Sequence, residues 1–261
     1  MLKKFLSDTK KYLAYSGISA KAQLKAEVAN SYLNWIWWVL EPVCFTFIYY
    51  LVFGIFFNLN EEYMISFIVI GVSLWDFFSR MMKNSVNIIR SNKSIISKVY
   101  LPKHILILVR LCVNGFKMLI TLAIGIVTLI ILQVEISWRV ILAVPILAVF
   151  LIFNFGLSCI LLHFGVYVAD LNHIVEIVLR MVFYLTGVFY SVPKKIPEPF
   201  GLYAVNINPV AYCVDALRKV LLYKETPNLW ILLVWLILSL LLSAVGVRIV
   251  YKNENSYVKS I

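Results

Sequence analysis

Few residues in this chain are placed to break or make bonds. His163, Asp170 and His173 lie close in sequence and carry groups that ligate a metal or move a proton. Their setting at the end of an apolar run is also that of ordinary side chains held by water or lipid headgroups. Glu41 stands just before Pro42 inside an apolar stretch, and Asp76 stands in the next one. Glu176 and Arg180 are four residues apart, the spacing of a helical ion pair. An acid or base inside a membrane segment marks a functional position by default. A proton-coupled carrier wants its acids near the bilayer middle, whereas these lie near the ends of their segments, with Glu41 the exception. There is no GxxxxGK[ST] phosphate cradle, GxSxG elbow or HExxH pair. Cys44, Cys112, Cys159 and Cys213 form no CxxC and read as small apolar packing residues. The chain is therefore expected to carry no catalytic group, metal set or cofactor site of its own.

The elements that position these residues follow from composition. Of 261 residues, 62% are hydrophobic and 14% charged, with a mean hydropathy of +0.89. A soluble globule carries about 25% charged residues, so the chain is an all-α integral membrane protein. Crossing the hydrocarbon takes roughly 20 apolar residues. Six stretches are expected to do so, near Trp35–Phe57, Tyr63–Phe78, Ile105–Leu132, Val140–Val168, Ile174–Tyr190 and Leu229–Tyr251. The opening residues lack the apolar core of a cleavable signal.

The net charge of +11 is not a nucleic-acid footprint, because it is segregated along the chain. Lys3, Lys4, Lys10, Lys11, Lys21 and Lys25 precede the first span. Arg80, Lys83, Arg90, Lys93, Lys98 and Lys103 fall between the second and third without an intervening acid. Arg248, Lys252 and Lys259 close the chain. The positive-inside rule puts these segments and both termini in the cytoplasm. Lys194, Lys195, Arg218, Lys219 and Lys224 run against it, which predicts structure in the last outer segment.

Three non-spanning parts complete the layout. Residues 1–34 read as a cytoplasmic interfacial helix, with Leu2, Phe5, Leu6, Thr9, Tyr12 and Leu13 on one face and a break at Gly17. Within the permease domain, 35–251, the loop 84–104 interleaves Ile88, Ile95, Ile96 and Val99 with bases. That pattern suits a short amphipathic helix docking on a soluble partner or lying on lipid. The outer segment 192–224 is broken by Pro193, Pro197 and Pro199, and Asn208-Pro209 supplies an N-cap and a first-turn proline. Two re-entrant helices are expected there, at the mouth of a pathway, since irregular backbone in a membrane must be buried or line a cavity. Residues 252–261 form a cytoplasmic tail. Tyr49, Phe53, Phe56 and Phe57 share a face of the first span, and Phe183 and Tyr190 a face of the fifth. These rings are either packing and belt aromatics or the lining of a path along which sugar faces slide.

Four stretches carry a resemblance. SYLNWIWWVLEP (Ser31 to Pro42) resembles the S-x-L-G-x-x-W-x-x-L-x-P start of the first span in polysaccharide-export ABC transporter permeases, with Asn34 in place of the glycine. GVSLWDFF (Gly71 to Phe78), NKSIISKVYLPKHIL (Asn92 to Leu106) and INPVAYCVDALR (Ile207 to Arg218) resemble that family's second span, cytoplasmic loop and outer segment, in the same order. Where the family often has a basic-aromatic pair and an Arg-Asp, this chain has Glu27-Val28 and Ala169-Asp170.

The resemblance implies a homodimer with two cytoplasmic ABC ATPase subunits in a bacterial cytoplasmic membrane. ATP and Mg would bind in those subunits. It implies that the loop holding Ser91, Asn92, Ile95, Ile96, Lys98 and Pro102 docks on the ATPase, and that Tyr49, Phe53, Phe56, Phe57, Phe183 and Tyr190 line a channel. Asn208, Pro209 and Arg218 would belong to the outer re-entrant segment. The cargo would be a polyprenyl-diphosphate-linked polysaccharide, O-antigen or teichoic acid, with Lys21, Lys25 and Arg180 near its anionic head. The alternatives are an ABC exporter of a drug or lipid, an integral-membrane glycan or lipid transferase, and an ion-coupled carrier. The last would show inverted repeats, and none is found.

Overall fold

The computed structural model describes residues 2–29, 32–59, 61–135, 137–197 and 199–259, and among these every regular element is helical. Helix α1, Leu2–Val28, runs unbroken through Gly17, correcting the expected break. Its packed face steps through Phe5, Tyr12, Ser16, Ala20 and Val28 onto later elements, while Leu6 and Leu13 stay exposed. Leu6 and Leu13 are thus free of protein contacts that would keep them from a membrane surface, and the side chain of Leu2 lies outside what is described. Helix α2, Trp37–Tyr49, contains Pro42, follows a tight turn at Asn34–Ile36 and continues as a π-helical stretch, Tyr50–Phe56. Ser31, the first residue of the recognised motif, lies outside the described residues.

Helix α3, Met64–Ser91, is the hub. Phe67, Ile68, Leu74, Phe77, Met81 and Ile88 are almost fully enclosed, because α3 packs on α2 and on the later helices around it. It runs past the expected end at Phe78, so residues 84–91 of the anticipated loop are helix. Its 28 residues rise about 42 Å, more than the roughly 30 Å of hydrocarbon. Helix α4, Lys93–Ile96, is a single turn, and α5, Lys103–Ile131, starts at Pro102. Helix α6, Ala143–Tyr167, follows a tight turn at Trp138–Leu142.

Helix α7, Leu171–Leu185, is shorter than the expected fifth span. After it come α8 (Val192–Lys195), α9 (Phe200–Ile207), α10 (Pro209–Leu221) and α11 (Leu229–Lys259). The outer segment thus holds three helical pieces where two were expected; α8 is a single extra turn begun by Pro193. Helices α6 and α11 make the most extensive pairing in the molecule. Glycines allow it: a Cβ at Gly246 would stand 2.7 Å from the Gly156 carbonyl oxygen, and one at Gly156 would stand 2.6 Å from the Ser243 nitrogen. Small residues at a helix contact let the backbones approach.

Among the described residues, five helical segments are long and apolar enough to cross a membrane: Asn34–Phe56, Met64–Ser91, Lys103–Ile131, Trp138–Tyr167 and Leu229–Tyr257. The 15 residues of α7 rise only about 22 Å. The polar contacts sort into two ends. At one, the Tyr251 hydroxyl donates to Asp8 (2.7 Å), Tyr100 donates to Glu254 (3.2 Å), and His163 meets the Tyr257 hydroxyl (2.9 Å). The first of these contacts joins the first and last helices. At the other, Lys194 meets Glu61 (2.8 Å) and Lys224 meets Glu135 (2.6 Å).

Candidate functional site

Sequence pattern brings the rings of α2 together, and a turn after α7 supplies their partner. Phe45, Tyr49, Phe53 and Phe57 recur every four residues, and Phe45–Tyr49 and Phe53–Phe57 stack at 6.1 and 5.8 Å between ring centroids. Gly187, with φ of +67°, takes the chain through the left-handed region that favours glycine. The turn delivers Phe189 into the row. Its ring stacks on Phe53 at 4.2 Å with 12° between planes, and meets Tyr49 at 4.6 Å and Phe183 at 5.3 Å. Trp75 of α3 extends the array to Phe183 (5.1 Å) and Phe78 (5.7 Å).

Of the six aromatics read from the sequence, Tyr49, Phe53 and Phe183 converge on Phe189, and Phe57 joins through Phe53. Phe56 is 79% exposed and outside the cluster. The reason is the π-helical stretch Tyr50–Phe56: its wider turn breaks the 3.6-residue phase that placed Phe56 on the shared face. Tyr190 turns away, its hydroxyl donating to the Tyr184 carbonyl. Phe189, the centre, was missed. Its neighbour Tyr190 shares the helical phase of Phe183, but the chain leaves the helix before reaching either.

Beside the rings is a cavity of about 400 Å³, lined by Tyr49, Trp75, Asp76, Lys83, Glu176, Arg180 and Phe183. A second, of about 210 Å³, is lined by Glu27, Trp38, Glu41, Asp76, Arg80 and Lys117. Asp76 borders both. Glu41 pairs with Arg80 at 3.2 Å, and Glu27 with Lys117 at 2.5 Å. Glu176 and Arg180 line the same cavity without bonding to each other among the described residues. Lys21 and Lys25 are exposed on α1 and line neither cavity, so Arg180 is not joined to them.

Above the rings, Asn208 caps α10 by accepting from the Val210 and Ala211 amides (3.0 and 3.3 Å), and Pro209 fills the first turn. Arg218 is 4% exposed. It donates to the carbonyls of Phe67 (2.9 and 3.2 Å), Gly187 (2.8 Å) and Val188 (2.6 Å). Among the described residues no carboxylate bonds to it, and Asp215 pairs with Lys219 at 2.8 Å. Gly71 makes room for it: a Cβ there would stand 2.4 Å from Arg218 Nη2. The bases of segment 192–224 that ran against the charge rule are therefore largely engaged. Lys194 is held above the ordinary lysine range chiefly by its hydrogen bond to Glu61. Glu135, bonded to Lys224, is held below the ordinary carboxylate range.

At the opposite end lies the short helix α4. Ser91 and Asn92 both donate to the Ile88 carbonyl (3.2 and 2.7 Å), closing α3. Ile96 tucks inward at 6% exposure, whereas Ile95, Val99 and Tyr100 are 42%, 61% and 60% exposed. Lys98 is exposed beside them, and Pro102 starts α5. Burial, then the Glu254 carboxylate, pushes the Tyr100 phenol up. His163 is engaged with Tyr257, and no His, Cys, Asp or Glu cluster among the described residues is arranged to hold a metal.

The chain is similar to two O-antigen export system permease proteins RfbA of Klebsiella pneumoniae, each 26% identical over 237 residues and 90% of both chains. It is also similar to the O-antigen export system permease protein RfbA of Myxococcus xanthus, 23% identical over 239 residues and 92% of both chains. Residues 17–222, from within α1 to the end of α10, match the ABC-2 type transporter family, and to that family of multi-pass membrane permeases the chain belongs.

Proposed function

We propose that this chain is the membrane permease of an ATP-driven exporter that moves a lipid-linked polysaccharide across the bacterial cytoplasmic membrane. The observation that carries the reading is the convergence of Tyr49, Phe53 and Phe183 on Phe189 beside a 400 Å³ cavity. Ring faces stack on the apolar faces of sugars without fixing one orientation, so a polymer can move along them. The relatives named for O-antigen export support a glycan as cargo. No observation favours a drug or lipid cargo.

The transporter works as a homodimer with two ATPase subunits that bind ATP and Mg, and this chain does no bond chemistry. Ile95, Val99 and Tyr100, exposed and flanked by Lys93 and Lys98, suit a soluble partner with an apolar groove and an acidic rim. Ser91, Asn92, Ile96 and Pro102 hold that loop in shape. ATP shifts the dimer between closed and open states by stabilising one over the other. Arg180 attracts the diphosphate head; Lys21 and Lys25 contribute only from another face or from the second copy.

The membrane is crossed six times, with α7 and the turn after it as the fifth crossing, α1 in the inner interface, and α9 and α10 re-entrant on the outside. Two observations support this. The Tyr251–Asp8 bond joins the first and last helices at one end, which supports an even number of crossings. Asn172 bonds to Asn87, while Gly187 shares Arg218 with Phe67. Along α3, Phe67 and Asn87 are about 30 Å apart, which supports a crossing by the chain from 172 to 187, its helix of about 22 Å extended by the turn and by the Asn87 and Arg218 side chains.

The test is depletion of the protein in its host, with polyprenyl-linked glycan measured on each side of the membrane. Accumulation inside with loss at the surface is expected. Unchanged pools at verified depletion would remove the glycan and leave the transporter family standing.

A further inference from the structure

On the side of the molecule away from the aromatic cluster, α1, α5, α6 and α11 enclose an apolar groove of about 780 Å³. Its walls include Leu108, Leu111, Phe155, Leu240 and Val247. The groove exists because Ser243 and Ala244 present almost no side chain where α11 lies close on α6. From Leu240 to Arg248 the wall runs about 12 Å along α11. Two cations, Lys3 and Arg248, also line it. Both are exposed, and neither has an acidic partner among the described residues. The neighbouring cation Lys4 instead lies over the Tyr251 ring at 5.5 Å.

An apolar slot at membrane depth that ends in two uncommitted positive charges matches the shape and charge of one kind of molecule. We propose that this groove binds one anionic phospholipid of the membrane, with its phosphate between Lys3 and Arg248 and an acyl chain along α11. The volume lies in the range of built ligand sites, about 300–1,000 Å³. The aromatic cavities are lined from α1, α2, α3, α5 and α7 but share no lining residue with the groove, so cargo on that path does not pass through it. The site is therefore independent of what is exported. Because Lys3 and Arg248 come from the first and last helices, the lipid joins the two ends of the chain, next to the Asp8–Tyr251 bond.

The test uses the full chain in detergent, titrated with phosphatidylglycerol or phosphatidylcholine and followed by native mass spectrometry. Each surface cation favours an anionic headgroup about fivefold. Lys3→Ala with Arg248→Ala is therefore expected to weaken phosphatidylglycerol about thirtyfold and phosphatidylcholine, whose choline offsets its phosphate, far less. Ala244→Trp fills the slot and is expected to weaken both lipids; should that variant fail to fold, the two exposed cations still carry the test. Lys10→Ala with Lys11→Ala is the control for general basicity of α1, and is expected to bind as the unaltered protein does. Equal binding of both lipids by the unaltered protein would overturn the proposal. So would loss of phosphatidylglycerol in the control as large as in the Lys3/Arg248 variant, or displacement of phosphatidylglycerol by polyprenyl phosphate at lower concentration.

Discussion

Arg218 grips Phe67 twice over: its Nε and Nη2 both donate to the Phe67 carbonyl, and its guanidinium lies 3.3 Å from the centre of the Phe67 ring. Since Nη1 and Nη2 also hold Gly187 and Val188, one side chain fixes α10, the start of α3 and the turn that aims Phe189. Lysine cannot reproduce this planar fork, and each buried carbonyl left without a donor costs about 1–3 kcal/mol. Arg218→Lys is therefore expected to destabilise the purified protein by about 3 kcal/mol in thermal melts. Gly71→Ala pushes a methyl into the same guanidinium, so combining the two changes should depart from additivity by about 0.5–3 kcal/mol. Strict additivity would mean that Arg218 is not the group Gly71 accommodates.

Phe189 is the ring on which both halves of the aromatic cluster depend. Leucine keeps much of its volume but loses three ring contacts, each worth about 0.5–1.5 kcal/mol. Phe189→Leu should lower stability by about 2–3 kcal/mol and reduce surface glycan, whereas Phe56→Leu should leave both unchanged. Measuring both variants side by side separates a path organised by Phe189 from a diffuse aromatic belt, for which the two would behave alike.

Tyr100 in the basic loop donates to Glu254 near the end of α11, so a push on the loop reaches the last helix through one bond. Tyr100→Phe removes the donor of that link and Glu254→Leu removes its acceptor. The expected result, with the ATPase subunits bound, is ATP hydrolysis within about twofold of normal and export per ATP several-fold lower. The double variant should be no worse than either single one, as residues acting through one bond are not additive. Hydrolysis and export falling together would place Tyr100 in the docking contact itself.

The sequence carried most of the scaffold because the spans, the Asn208 cap and the polar ends are local or compositional signals. The apolar runs that became α3, α5, α6 and α11 could not be anything else at that length. What stayed hidden was set by changes of helical phase. The π-helical stretch after Tyr49 moved Phe56 off the shared face, and the left-handed turn at Gly187 brought Phe189 onto it. Neither follows from a fixed period of 3.6 residues. Arg218 was flagged by the family motif, but the three carbonyls it binds come from segments 30 to 151 residues away. The pairing of Lys194 and Lys224 with acids from the other outer loops was hidden for the same reason.

Helix α7 is the element on which the crossing number turns. Its 15 residues are short for a span, yet the bonds at its two ends, Asn172 to Asn87 and Gly187 to Arg218, lie about 30 Å apart along α3. An impermeant thiol reagent distinguishes the possibilities in a background with Cys44 and Cys112, the two exposed cysteines, replaced by serine. His173 and Lys195 are both exposed, so cysteine at either should fold and react. Lys195→Cys is expected to label in intact cells and His173→Cys only after permeabilisation. Labelling of both from one side would make α7 a re-entrant element and leave five crossings. That outcome would put the segments joined by the 2.7 Å Asp8–Tyr251 bond on opposite faces of the membrane, and would remove the six-crossing proposal.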